Sequence, residues 1–108
     1  MKSVNALLAL SALAQETRLK IFRRLVKAGP AGETAGALAE ALKTPAPTLS
    51  FHLRELERAG LIVQRRESRN LIYAARADTM RELLSYLMKD CCQGRPEICN
   101  IELECCDG

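Results

Sequence analysis

A chain of 108 residues, 48% hydrophobic but only 4% aromatic and without Trp, fits one domain whose core is built from Leu, Ala, Val and Ile, as packed helices are. Its net charge of +3 is divided: residues 1–90 hold 15 Lys and Arg against 9 acids, net +6, whereas residues 91–108 set Arg95 against Glu97, Glu102, Glu104 and Asp107, net −3. No stretch is long enough to cross a membrane, no glycine loop or acid–base pair marks an enzyme, and the basic body favours a polyanionic partner.

The run Ala6 to Ala14 imitates a short signal peptide ending in Ala-Leu-Ala. Asn5 and Ser11 dilute it, and only Lys2 precedes it, so it reads as a helix over about 3–13. That reading places the protein in the cytoplasm. Val4, Leu7, Leu8 and Leu10 to Leu13 cover a broad face of this helix.

A second helix is predicted from Gln15 or Glu16 to Ala28, burying Leu19, Phe22, Leu25 and Val26 and stopping at Gly29-Pro30. A third is predicted from Thr34, as N-cap, to about Lys43, with Leu38 and Leu42 one turn apart. Pro45 breaks it. A fourth begins near Pro47 and ends at Ala59, with Gly60 just beyond.

On the fourth helix, 100° per residue puts Leu49, Leu53 and Leu56 on one side. Pro47, Ser50, Phe51, Arg54 and Arg58 fall broadly on the other. Two helices joined by a tight turn, the second presenting Thr, Ser and Arg outward, make a helix-turn-helix. Two β-rich segments follow, 61–66 and 70–74, joined by Glu67-Ser68-Arg69: a basic hairpin, or wing. A last helix is predicted from Asp78, as N-cap, to Lys89 or Asp90. Its Met80, Leu83, Leu84, Tyr86, Leu87 and Met88 offer more apolar surface than one small domain needs. With the first helix it forms the expected homodimer interface.

The fold class is therefore mainly α with a small β-hairpin, a winged helix-turn-helix dimerising through its first and last helices. The expected organisation is a DNA-binding and dimerisation domain over 1–90 and a Cys-rich tail over 91–108. The partner is double-stranded operator DNA. Thr48 and Ser50 at a helix N-terminus suit phosphate, Phe51 suits a thymine methyl, and Arg54 and Arg58 suit phosphate or a guanine edge. Arg65, Arg66 and Arg69 on the wing suit the DNA backbone or minor groove. His52 is the only His and reads as a hydrogen-bonded packing residue, because a lone His makes no zinc site.

All five cysteines, Cys91, Cys92, Cys99, Cys105 and Cys106, fall in the last 18 residues. A secreted disulfide scaffold spreads its bridges along the chain, so this cluster reads as thiol ligands for a soft ion.

Three stretches carry a family resemblance: Ala14-Gln15-Glu16-Thr17-Arg18-Leu19-Lys20-Ile21-Phe22, Leu38-Ala39-Glu40-Ala41-Leu42, and above all Thr48 to Ile62, TLSFHLRELERAGLI. With the wing ending in Tyr73, they resemble the ArsR/SmtB family of metal-sensing winged-helix repressors over about residues 5 to 90. The resemblance implies a dimer that blocks transcription until an inducer binds. The Cys-x-Cys of founding arsenic-type members is absent from the third helix, as are the His and carboxylate zinc ligands of the last helix.

Cys91, Cys92 and Cys99 instead look like the relocated arsenite site of an arsenic-responsive subgroup. Arsenite, As(III), prefers three thiolates, and antimonite, Sb(III), should bind alike. Cys105 and Cys106 could add a second vicinal pair, deliver the ligand, or have no role. The same thiols also suit methylated trivalent arsenic, cadmium, an oxidant or persulfide. A thiol-rich sequestering protein is a further alternative, against which the outward Phe51, Arg54 and Arg58 speak.

Overall fold

The computed structural model describes residues 2–88. The chain runs α1 (Ser3–Leu13), α2 (Glu16–Ala28), a 3-10 turn (Gly29–Ala31), β1 (Glu33–Thr34), α3 (Ala35–Leu42), α4 (Ala46–Arg58), β2 (Ile62–Glu67), β3 (Asn70–Ala75) and α5 (Ala77–Met88). Five helices and a small antiparallel sheet make a winged helix-turn-helix. The expected boundary at 90/91 and the cysteine tail lie outside the described residues. Among the described residues no helix is long and apolar enough to cross a membrane.

The helix ends follow local chemistry. Gln15 caps α2 by accepting from the Arg18 amide, and Thr34 caps α3 by accepting from the Ala37 amide at 3.1 Å. Helix α3 closes on Lys43 in the left-handed region, with the Thr44 amide donating back to the Ala39 carbonyl. Helix α4 starts one residue before the predicted Pro47, with Pro45 as its cap, and closes at Gly60 (φ 79°) as the Leu61 amide reaches the Leu56 carbonyl. Asp78 is not the N-cap of α5. It lies in the first turn and pairs with Arg76 at 2.7 Å, while the Arg76 carbonyl accepts from the Met80 amide. That pairing holds the Asp78 carboxyl below its ordinary pKa, the hydrogen bond from Arg76 being the main cause.

The core joins Ile21, Phe22 and Leu25 of α2 to Leu38 of α3, Leu49, Leu53 and Leu56 of α4, then Leu61, Ile62 and Leu83. Two expected core residues of α2 are absent from it. Leu19 and Val26 are exposed, and Ile21 is fully buried beside Phe22 and Leu25 instead. Leu19 and Val26 flank Phe22 on the helical wheel much as Ile21 flanks Leu25, so the neighbouring helices, and not the apolar pattern, decide that the Ile21 side is the one covered.

Helix α1 is apolar over most of its surface, interrupted by Ser3, Asn5 and Ser11. It turns Ala6, Ala9 and Ala12 inward, with Ala9 fully buried, and leaves Val4, Leu7, Leu8 and Leu10 exposed. Small residues let α1 lie close against the domain while its large side chains remain outside. Helix α5 packs mainly against α1, Ser3 Oγ and Tyr86 OH being hydrogen-bonded. Leu83 and Thr79 face in, and Leu87 is half-exposed.

The sheet has the order β1-β3-β2. Strand β1, two residues long, pairs Glu33 with Tyr73 and Thr34 with Ile72. Strands β2 and β3 pair from Ile62↔Ala75 to Glu67↔Asn70, so the hairpin closes on two residues, Ser68 and Arg69. Ser68 supplies the positive φ of 57° that the tight turn requires.

Gly32 (φ +68°) sits where the chain enters β1. A Cβ there would stand 2.3 Å from the Tyr73 carbonyl oxygen and 2.8 Å from Ile72 Cγ2. Gly60 has a similar φ but open space around it. Gly32→Ala is expected to destabilise the fold by roughly 3 kcal/mol. Gly60→Ala should cost about 1 kcal/mol, from backbone strain alone. Urea unfolding of the two variants at one protein concentration measures the difference.

Candidate nucleic-acid interface

The surface opposite the core is set by α4. With Leu49, Leu53 and Leu56 nearly or fully buried, the helical period turns Pro47, Ser50, Phe51, Arg54 and Arg58 outward, and all five are exposed, as is Thr48 on the flank. No side chain caps the α4 N-terminus, in contrast to α2 and α3. Its first amides therefore remain available to an anion. Arg54 makes no ion pair among the described residues. Arg58 lies 3.1 Å from Glu55 but keeps 74% of its side chain exposed, a contact worth little in water.

Phe51 is 50% exposed, unusual for a large apolar side chain. It is nonetheless held on two sides. The His52 ring meets it edge-on at 5.6 Å between centroids, and the Arg18 guanidinium carbon lies 5.5 Å from the ring centre. Arg18 Nε also donates to His52 Nδ1 at 3.1 Å. The sequence reading of His52 as a hydrogen-bonded packing residue therefore agrees with its place, 8% exposed at the rim of the leucine face. Burial first, and the Arg18 charge second, hold the His52 pKa below its ordinary value of 6.5.

The wing's three arginines have different surroundings. Successive strand residues face opposite sides, so Arg65 and Arg66 diverge. Arg65 turns back: Nη1 donates to the Pro30 carbonyl and Nη2 to the Ala31 carbonyl, both at 2.9 Å, and Nε lies 3.2 Å from Glu67. It ties the hairpin to the 3-10 turn. Arg66 and Arg69 are exposed and make no ion pair among the described residues. Sequence reading treated the three alike, because alternation along a strand does not tell which face meets a neighbouring carbonyl.

Arg18 is the residue that sequence reasoning passed over. It stood only within a stretch quoted for its family resemblance. Among the described residues no three His, Cys, Asp or Glu side chains gather as metal ligands. Cys91, Cys92, Cys99, Cys105 and Cys106 lie outside the described residues.

A helix-turn-helix domain model matches residues 13–65, from the end of α1 into β2. HlyU from Vibrio cholerae N16961 is 33% identical, over 79% of this chain and 92% of its own, with a TM-score of 0.64; its reduced form gives 32%, 81%, 92% and 0.62. The homodimeric winged helix-turn-helix DNA-binding domain of Mb0332 from Mycobacterium bovis, a possible ArsR-family regulator, is 27% identical over 80% of this chain and 79% of its own (TM-score 0.65). An ArsR-like regulator from Rhodococcus sp. RHA1 shares the fold at a TM-score of 0.74, with 23% identity over 91% and 90% of the two chains. The chain belongs to the ArsR family of winged helix-turn-helix transcriptional regulators. No curated protein matches it by sequence.

In this ArsR-family chain the neutral form of His52 is the one the fold favours. The unfolded chain takes up a proton near pH 6.5 and the folded chain only at lower pH. Stability is therefore full above about 6.5 and falls as the pH drops below it, by at most about 1.4 kcal/mol per unit, until the folded-state pKa is reached. Urea unfolding between pH 7.5 and 5 should show this slope, and His52→Asn should remove that component. Arg65→Ala should cost about 1 kcal/mol of stability through its two lost carbonyl bonds. Arg66→Ala should leave stability within about 0.5 kcal/mol of the parent.

Proposed function

We propose that this chain is a homodimeric repressor of an arsenic-resistance operon. It leaves its operator when arsenite, or antimonite, is captured by the thiolates of Cys91, Cys92 and Cys99. The observation that carries the inducer assignment is the gathering in the sequence of all five cysteines beyond α5, the helix that packs against α1.

DNA recognition rests on the outward side of α4 and the wing. Phe51, Arg54 and Arg58 enter the major groove, while Pro47, Thr48 and Ser50 bring the uncapped helix N-terminus to a phosphate. Arg66 and Arg69 follow the backbone or enter the minor groove, and Arg65 holds the wing in place. The dimer forms through α1 and α5. Val4, Leu7, Leu8, Leu10 and Leu87 are large, apolar and exposed, and a helix with so many exposed apolar side chains calls for a partner. The Mb0332 domain, of similar fold, is homodimeric. Such a dimer places two reading helices ~34 Å apart, one DNA turn.

The protein works in the cytoplasm, where a reducing environment keeps the thiols free. Metalloid capture at the end of α5 strains the dimer seam, and a coupling of ~1–3 kcal/mol weakens operator binding several-fold to a hundred-fold. Cys105 and Cys106 follow in the sequence as a second vicinal pair, and the proposal assigns them no role.

A second reading keeps the DNA-binding surface and makes oxidation the signal. It is favoured by the similarity to HlyU, of which a reduced form has been solved.

An operator recovered by selection from random duplexes serves the test. Arsenite should release the parent protein, and the Cys91, Cys92, Cys99→Ser variant should stay bound. Release of that variant by arsenite would remove the site assignment. Peroxide, cadmium, a persulfide donor and methylated trivalent arsenic are run alongside, with mass spectrometry to separate a disulfide from an arsenic adduct. Binding should also depend steeply on salt, and Arg54→Ala, Arg66→Ala and Arg69→Ala should each lower the salt slope by about 1. Salt-independent or absent DNA binding would favour a sequestering role.

A further inference from the structure

Arg18 is placed unlike the other cations of α2. Its amide is held at the N-cap of α2 by Gln15 Oε1 at 2.8 Å, so its backbone position is fixed by the helix start. Its side chain crosses to α4, where Nε donates to His52 Nδ1 and the guanidinium covers the Phe51 ring. On its remaining side it lines a cleft of about 160 Å³ against Leu8, Ser11 and Ala12 of α1 and Glu55 of α4. It is half-buried, whereas Lys20, Arg23 and Arg24 of the same helix are exposed.

We propose that Arg18 is a specificity-determining positioning residue: it holds Phe51 in the one orientation that meets a base. The inference rests on the DNA-reading role given to α4 above. A half-exposed phenylalanine on a helix has more than one staggered side-chain orientation open to it, and water does not choose between them. Here the choice is made by two neighbours. The imidazole edge bounds the ring on one side, and the guanidinium face bounds it on another. The imidazole is itself fixed because Arg18 Nε occupies its Nδ1, which leaves the proton on Nε2.

Only a planar guanidinium can donate sideways through Nε and present a face to an aromatic ring at once. Glutamine lacks the charge and is too short to make both contacts at once. Lysine lacks the Nε donor. The arrangement also explains why an arginine is drawn into the domain on a surface otherwise rich in free cations. Its charge organises the reading helix and does not itself meet phosphate.

The experiment uses the full chain and the selected operator, with single thymines replaced by deoxyuridine. Removing the methyl group that Phe51 meets should weaken the parent roughly fourfold, the worth of one buried methyl. Phe51→Ala should show no such loss. Arg18→Gln should lose most of the thymine preference while its salt slope stays that of the parent. His52→Asn, which keeps an acceptor where Nδ1 stood, should retain the preference, and His52→Leu should behave like Arg18→Gln.

A folded Arg18→Gln protein with the full thymine preference overturns the inference and leaves Phe51 as a base contact. If Arg18→Gln does not fold, the His52 pair decides: equal preference in Asn and Leu variants overturns it. A parent protein indifferent to every thymine methyl overturns the Phe51 contact and Arg18's role together, while salt-dependent binding would still support the basic face of α4 and the wing.

Discussion

The burial of one leucine stripe orients everything this protein presents to its surroundings. Leu49, Leu53 and Leu56 are removed almost wholly from water against Ile21, Phe22, Leu25 and Leu38. Each such side chain is worth about 1.5–3 kcal/mol. The exposed pairs on the same helix, Arg58 with Glu55 for example, contribute about 0–1 kcal/mol. The leucines therefore decide the rotation of α4 about its axis, and the charged side has no vote. Once the rotation is set, the 3.6-residue period delivers Ser50, Phe51, Arg54 and Arg58 to a single outward face. The function proposed for α4 is the complement of its core.

The wing is anchored by different means. Only Ile62 and Ala74 of the hairpin are buried, so burial alone does not fix its direction. Two polar devices do. The short strand β1 pairs with β3 through Glu33 and Thr34, made possible by the close approach of Gly32 to Tyr73. Arg65 closes the other connection by satisfying two carbonyls of the 3-10 turn, groups that a short helix leaves without partners. Arg24 and Glu33 add an ion pair at 2.7 Å between α2 and the start of the sheet. The projecting hairpin is thereby tied to α2, whose buried side also receives α4, and the two candidate DNA-contacting elements share one support.

Periodicity and punctuation made most of this legible beforehand. The spans of α1 and α2, the Thr34 cap and the Gly60 closure follow from signals within a few residues of one another. Most of the misses share one cause, dependence on a partner distant in sequence; Asp78, taken by its near neighbour Arg76, is the exception. Strand β1 is two residues long and exists only because β3 runs beside it. Leu19 and Val26 match the apolar pattern of α2 as well as Ile21 does, and only the position of the neighbouring helices separates them. Asp78 has the chemistry of an N-cap, but Arg76 captures its carboxylate. In the sequence Arg65 reads as a DNA contact of the wing and Arg18 stands only within a family stretch; their places appear only when carbonyls 34 and 35 residues away, or an imidazole 34 residues away, come within 3.1 Å. The cysteine positions, by contrast, rest on sequence alone.

Helix α1 links the two ends of the proposed mechanism. Its alanine side lies against α2 and α4, and its N-terminus meets α5 through Ser3 and Tyr86. Alanines give close contact but little interlocking, so α1 is held to its own domain by a flat surface. Its protruding leucines are shaped to interlock with something else. A helix seated flatly on one side and interlocked on the other moves with its interlocked side. Capture of an inducer beyond α5 would thus act on α1 through the dimer seam, and α1 borders the cleft where Arg18 meets α4. A signal at such a seam would have a short path to the reading helix, with no rearrangement of the leucine core.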